Sequence, residues 1–190
     1  FVKYACTTHM SDPANILDAG IISVNKDIFD MANSNRDYSG MGTTFVAASL
    51  VENHVYIANV GDSRLYLIGR DIRQITRDHS LVEDMVRMGV LEREEARTHY
   101  KKNVITKAIG VADDKTSTPD IFEIEVENGD KLLLCSDGLT NMVEDYDIKK
   151  IVKDNDSIED AVRELIKQAN ENGGKDNISA ILIEPEIGEE

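Results

Sequence analysis

The sequence predicts an α+β fold, with antiparallel sheets packed face to face and helices outside, and three observations lead there. Its strand-like segments fall in two blocks joined by short polar turns. Helical periodicities precede the first block and follow the second. Most of the strands are apolar or small on both faces, so they need covering from both sides. The chain has 190 residues, the length of one domain with a sizeable core. Its 41% hydrophobic content is ordinary for such a domain and too high for disorder. Trp is absent, so the core must rest mainly on Ile, Val, Leu and Ala.

Residues 1–9 read as the tail of a helix, and the chain opens on Phe1 rather than Met, as if it began inside a domain. Ser11-Asp12-Pro13 is a helix start, with polar caps and Pro in the first turn. Leu17, Ile21, Val24, Ile28 and Met31 then recur at helical spacing to about Asn33. After a polar loop from Asn35 to Gly42, Thr44–Val51 and His54–Val60 form strands about a turn at Glu52-Asn53. Arg64–Ile68 follows directly, and Ile72 to Thr76 completes a meander. A helical insertion comes next. Leu81, Val82, Met85 and Val86 make an apolar stripe ending near Gly89, and Glu92 to Ala96 is a second short helix. His99 to Asn103 is a basic connector leading to Val104–Ile109.

In Ile121–Glu127 the residues Phe122, Ile124 and Val126 alternate with glutamates, the period of a half-exposed strand. Asn128-Gly129 predicts a hairpin turn, with Lys131–Ser136 returning as a buried strand. Helices are expected over Asp145–Lys153 and Ser157–Asn170, the second capped by Ser157 and Asp160 and apolar along Ile158, Ala161, Val162, Leu165, Ile166 and Ala169. Asn177–Ile183 is a last apolar strand, and the acidic tail from Glu184 is expected to fray.

Charge narrows the function classes. The chain carries 21 Lys plus Arg against 36 Asp plus Glu, a formal charge of −15. Such an acidic surface repels nucleic acid and anionic membranes, so neither is an expected partner. No apolar run approaches the ~20 residues that cross a bilayer, and no signal peptide is evident. Cys6 and Cys135 do not make a disulfide framework, and Cys135 sits in an apolar run where thiols are usually buried. Two such thiols fit a reducing compartment.

Three aspartates carry the chemical reading. Asp62 in Gly61-Asp62-Ser63-Arg64, Asp137 in Cys135-Ser136-Asp137-Gly138 and Asp176 in Gly173-Gly174-Lys175-Asp176-Asn177 each stand where an apolar strand meets a small-residue turn. A carboxylate there is costly to desolvate unless a cation meets it. Taken singly, each also reads as a turn residue or a cap. Together they point to one hard-metal site, with Mg²⁺ or Mn²⁺ favoured over Zn²⁺ because no His or Cys set has ligand spacing. Two such ions can activate a water and hold a phosphoryl oxygen.

Other chemistries fail on spacing. A thiol-based phosphatase needs Arg six positions after its Cys, but Asn141 and Asp12 stand there. No Gly-x4-Gly-Lys-Ser/Thr loop and no Gly-x-Ser-x-Gly elbow occur. His54 reads as a turn residue and His79 as a satisfied polar group near a helix start. His99, in the polar insertion, is either a substrate contact or a solvated side chain.

Met41-Gly42-Thr43-Thr44, Asn59 to Arg64, Thr76 to Val82, Asn103 to Thr106, Leu134 to Thr140 and Gly173 to Ile178 resemble the ordered motifs of the metal-dependent Ser/Thr protein phosphatases (PPM, type 2C), closest to the bacterial cytoplasmic branch. The likeness runs from about Ser11 to Ile183. It implies a four-layer α-β-β-α sandwich with two core Mn²⁺ or Mg²⁺ ions, and the activity of a protein phosphatase using metal-activated water. It implies Asp137 and Asp176 as metal-cluster acids, with Asp137 and Asp62 reaching a third, weaker ion. Residues 80–102 would be the family's mobile flap. The implied partners are phosphorylated proteins, among them a PASTA-type Ser/Thr kinase.

The sequence departs from the family at one end. The family's phosphate-binding Arg, its Asn-Glu-Asp segment and its metal-bridging Asp-Gly-Met-Gly-Gly turn do not occur here. Residues 1–190 therefore read as a single, N-terminally incomplete phosphatase domain, expected as written to hold the core metals poorly and to turn over little. The alternative is a non-catalytic, phosphatase-like binding module, which an upstream segment lacking those acids would favour.

Overall fold

The computed structural model describes residues 12–112 and 118–188, so the helix tail read at residues 1–9, with Cys6, lies outside the described residues. The chain divides into two units interleaved in sequence: Phe1–Val51, Val55–Asp62 and Asp78–Ile124 form the first, and Glu52–His54, Ser63–Arg77 and Glu125–Glu190 the second.

In the first unit, α1 (Pro13–Ser34) starts at the expected signal: Asp12 is the N-cap and its carboxylate accepts the Ala14 N–H at 3.0 Å. The helix buries Leu17 and Ile21 against Ala58, Val60 and Ile109. Its buried Asn25 accepts the Gly110 N–H at 2.7 Å and donates to the Ala112 carbonyl at 2.9 Å, which ties the loop after Ile109 to the helix. Strands β1 (Phe45–Val51), β2 (His54–Val60) and β5 (Asp120–Glu125) form a sheet in the order β1-β2-β5. Two short helices, α2 (Leu81–Arg87) and α3 (Arg93–Ala96), lie between β2 and β5 in sequence.

The second unit is a four-stranded sheet with helices. Its strands are β3 (Arg64–Ile68), β4 (Ile72–Gln74), β6 (Lys131–Cys135) and β7 (Ala180–Ile183), in the order β4-β3-β6-β7 and antiparallel throughout. The four apolar residues of β6 explain its internal place: Leu132, Leu133, Leu134 and Cys135 are all buried, the last as a free thiol. Helices α4 (Asp137–Thr140), α5 (Asp145–Asp154) and α6 (Ile158–Glu171) follow. On α6, Ala161, Leu165 and Ala169 recur every fourth residue and join one cluster with Leu133, Ile148 and Leu182. Ser157 caps this helix by accepting the Asp160 N–H at 3.1 Å.

The α+β class and the two sheets are as the sequence predicts, but strand assignment differs in two places. Arg64–Ile68 does not extend the first hairpin; the chain changes sheet at Gly61-Asp62-Ser63, and β3 pairs with β4 and β6. Nor does Asn128-Gly129 close a hairpin, because β5 and β6 belong to different sheets. The physical reason is legible in the two strands. β5 alternates and is half exposed, which suits its edge position, whereas β6 is continuously apolar and takes partners on both sides. The acidic tail is also held: Lys131 pairs with Glu184 at 3.0 Å, and Asn128 accepts the Ile187 N–H at 3.0 Å.

Tyr66 shows how the second unit manages a buried polar group. Its ring is fully buried, while its hydroxyl accepts from Arg64 at 2.8 Å and donates to Asp145 at 3.0 Å. Burial chiefly pushes the phenol far above its ordinary value, with Arg64 opposing and Asp145 adding. Tyr66→Phe would leave both charged partners short of a contact. Its expected cost is about 1–3 kcal/mol, read as a lower urea midpoint at unchanged m-value.

Candidate metal centre

β6 and β7 run antiparallel with Cys135 opposite Ala180. The residues leaving β6 and those entering β7 therefore meet at one end of the sheet. Ser136, which follows β6, accepts the Ser179 N–H on its Oγ at 3.0 Å and donates from that hydroxyl to the Asn177 carbonyl at 3.1 Å. Its own N–H donates to the Ser179 carbonyl at 3.0 Å. Gly138 lies so close to this segment that a Cβ there would collide with the Asn177 carbonyl. Within the second unit, then, the turns bearing Asp137 and Asp176 touch through their backbones.

The two carboxylates differ in setting. Asp137 opens α4, is half buried, and accepts from the Asn141 side-chain amide at 3.0 Å. Asp176 is exposed and accepts the Asn177 N–H at 2.7 Å. Hard carboxylate oxygens on touching turns are the donor chemistry a Mg²⁺ or Mn²⁺ ion takes. Among the described residues, however, no three His, Cys, Asp or Glu side chains stand grouped so as to hold a metal ion.

Asp62 belongs to the first unit. It follows Gly61, whose φ of 109° lies in the left-handed region and whose missing Cβ leaves room for the Thr44 side chain. The Gly61 carbonyl accepts the His79 N–H at 2.9 Å and the Asn59 amide at 3.2 Å, and the Gly61 N–H donates to His79 Nδ1 at 2.9 Å. His79 Nε2 lies 3.2 Å from an Asp120 carboxylate oxygen, off the hydrogen-bond axis. The other Asp120 oxygen accepts from Lys107 at 3.2 Å, and Lys107 also donates to the Thr118 carbonyl at 2.9 Å. The sequence suggests a satisfied polar residue here, and His79 meets that at Nδ1, which accepts from Gly61, but not at Nε2, which is buried without a hydrogen bond among the described residues.

His99 also belongs to the first unit, in the connector after α3. It accepts the Lys101 N–H at 3.2 Å, and its ring centroid lies 4.6 Å from that of Tyr100. Tyr100 is 85% exposed, with the Lys101 ammonium 5.5 Å from its ring centroid. Sequence reasoning missed Ser136, Asp120 and Lys107. Ser136 had a signal in its place beside Asp137, but Asp120 and Lys107 meet only through the fold.

Burial lowers the His79 pKa, with Lys107 adding to the effect and Asp120 and Asp78 opposing it. Burial raises the Asp120 carboxyl, but the neighbouring His79 and Lys107 outweigh it and hold the group below its ordinary value. A folded-state imidazole below the ordinary 6.5 leaves the unfolded chain to take the proton first. The stability this residue contributes is complete above that value and is lost as pH falls through the folded-state pKa. Melting temperature is therefore expected to drop on acidification below about pH 6.5, and His79→Asn should flatten that part of the profile.

Comparison with known proteins places these residues in a family. The Protein phosphatase 2C family model matches residues 7–178. The serine/threonine phosphatase stp of Listeria innocua is 44% identical over 169 residues, covering 88% of this chain and 66% of that protein. The protein phosphatase PhpP of Streptococcus pneumoniae is 43% identical over 147 residues, covering 77% of this chain and 59% of that protein. The chain therefore spans under two thirds of either relative. Among solved structures, the serine/threonine phosphatase Stp1 of Staphylococcus aureus matches with a TM-score of 0.89 at 42% identity, over 95% of this chain and 72% of that one. The catalytic domain of the phosphatase PstP in complex with two manganese ions matches with a TM-score of 0.83 at 29% identity, over 95% of this chain and 75% of that one.

Proposed function

Because the chain belongs to the protein phosphatase 2C family, we propose that it serves the hydrolysis of phosphoserine and phosphothreonine in proteins. The observation that carries this reading is the contact between the Ser136–Gly138 and Asp176–Asn177 turns, which brings two motif acids to one end of one sheet. Asp137 and Asp176 are the proposed carboxylate ligands of the core Mn²⁺ or Mg²⁺ ions, and Asp62 a ligand of a third ion. The manganese-bound PstP neighbour supports that choice of metal. Such ions, when bound, supply a water of lowered pKa and positive charge for the phosphoryl oxygens. The chain itself contributes oxygen ligands, the close turn at Gly138 that brings their segments together, and the Asn141 amide that orients Asp137.

The proposed substrates are phosphorylated proteins, including a PASTA-type Ser/Thr kinase, met in the cytoplasm. A formal charge of −15 supports proteins over nucleic acid or anionic membranes as partners. No helix among the described residues is long and apolar enough to cross a membrane. We read 1–190 as one phosphatase domain with residues 80–102 as its flap. From Arg97 to Ala112 the chain holds Arg97, Lys101, Lys102 and Lys107 and no Asp or Glu, an exception in so acidic a sequence. That run, with the exposed Tyr100 beside His99, supports His99 as a contact to phosphopeptide.

Two experiments test this. Asp137→Asn and Asp176→Asn should each weaken Mn²⁺ binding by calorimetry and cut phosphate release from a phosphothreonine peptide by about 10²-fold or more. The 190 residues carry no counterpart of the family's Asp-Gly-Met-Gly-Gly turn, so their own turnover is expected to be low and should be measured under single-turnover conditions. Peptide binding without any release, indifferent to both variants, would instead support a non-catalytic binding module. His99→Ala is expected to raise KM for the phosphopeptide by about two- to fivefold with kcat little changed, the pattern of a lost binding contact.

A further inference from the structure

We infer that His79 is a positioning residue for Asp62, acting through the main chain of Gly61; the inference rests on the reading of Asp62 as a ligand of Mn²⁺ or Mg²⁺. A glycine has no side chain by which the fold can hold it, so its conformation is set by its N–H and its carbonyl. At Gly61 both are taken by one residue. The His79 N–H donates to the Gly61 carbonyl at 2.9 Å, and the Gly61 N–H donates to His79 Nδ1 at 2.9 Å. Asn59 adds a second donor to the same carbonyl at 3.2 Å. On the remaining side the Thr44 side chain fills the space a Cβ would occupy, so the turn cannot shift that way. The backbone of Gly61, from which Asp62 departs, is therefore held by His79, Asn59 and Thr44, none of them a proposed metal ligand.

The imidazole can do this only in one tautomer. With Nδ1 accepting, the proton of the neutral ring sits on Nε2. That nitrogen faces Asp120 at 3.2 Å, and Asp120 is in turn held by Lys107 at 3.2 Å. The Lys107–Asp120 pair thus favours the tautomer that leaves Nδ1 open to Gly61. This chain of contacts follows the logic of outer-shell support for a ligand carboxylate, in which a group that never touches the ion fixes the one that does. It also explains why a histidine stands there. The N–H that reaches the Gly61 carbonyl is main chain and would come from any residue but proline; what the imidazole adds is an acceptor for the Gly61 N–H together with a second ring nitrogen beside Asp120.

The test titrates the chain with Mn²⁺, following free ion by electron paramagnetic resonance, and measures amide exchange at Gly61. His79→Asn keeps an acceptor near the position of Nδ1. His79→Gln instead reaches toward Asp120 and gives up the acceptor. Asp62→Asn and His79→Gln are each expected to weaken Mn²⁺ binding about tenfold, with His79→Asn staying within about twofold of the parent. Gly61 exchange should accelerate in His79→Gln and not in Asp62→Asn. If Asp62→Asn leaves Mn²⁺ affinity unchanged, the ligand reading is overturned. If Asp62→Asn weakens binding while His79→Gln keeps parental affinity or a protected Gly61 amide, the positioning role is overturned and the ligand reading stands. Should His79→Gln not fold, Asp120→Asn carries the same test with the histidine intact. Weaker Mn²⁺ binding with faster Gly61 exchange then supports the role, and parental values for both overturn it.

Discussion

The pairing register of β6 on β7, with Cys135 opposite Ala180, is the constraint on which the candidate centre depends. Because the strands are antiparallel, the acid that leaves one and the acid that enters the other arrive at the same end of the sheet. A slip of one residue would turn every side chain of β7 to the opposite face and separate Ser136 from the Asn177 carbonyl and the Ser179 amide. Burial prevents that slip. Leu182 would leave the core it shares with Leu133 and Leu165, and the exposed Ile181 would have to enter it. Apolar packing, worth about 1.5–3 kcal/mol per fully buried side chain, therefore sets the placement of Asp137 and Asp176.

In the first unit the corresponding device is polar. Gly61 ends β2 with a positive φ, and its peptide groups are held by His79 and Asn59. Lys107, from the stretch before β5, and Asp120, the first residue of β5, support the histidine. Buried polar groups are tolerable only when their hydrogen-bonding capacity is met. Here meeting the N–H and the carbonyl of Gly61 and shaping the turn before Asp62 are one arrangement. Asn25, buried in α1 and bonded to both Gly110 and Ala112, applies the same solution to the loop after Ile109.

Family membership and local geometry support each other without duplicating each other. The match to the protein phosphatase 2C family covers residues 7–178 and says which reaction the relatives are named for. The contacts of Ser136, Gly138 and His79 say how this chain presents them. Residues 97–112 add a different element, a basic run with an exposed Tyr100 in a chain of formal charge −15. A local reversal of sign on an acidic protein draws an anionic ligand to one place while the rest of the surface repels it.

Local physics made much of this legible from sequence. Asp12-Pro13 marked the start of α1, Ser157 capped α6, the spacing of Ala161, Leu165 and Ala169 marked a buried helical face, and the boundaries of β2 and β3 followed from runs of apolar residues. The candidate acids were legible too, because an aspartate after a buried strand is anomalous wherever it occurs. Strand partnership was not. Asn128-Gly129 has the composition of a hairpin turn, yet it carries the chain from the edge of one sheet to the interior of another. A turn's residues specify its backbone angles and leave open which hydrogen-bonding edge the next strand will find. Nor could sequence spacing bring His79 to Gly61, Lys107 to Asp120, or Ser136 to Ser179. Those contacts are made by groups whose separation along the chain carries no information about distance, and only the pairing of β6 with β7 and the folding of the loops onto β2 brought them within reach.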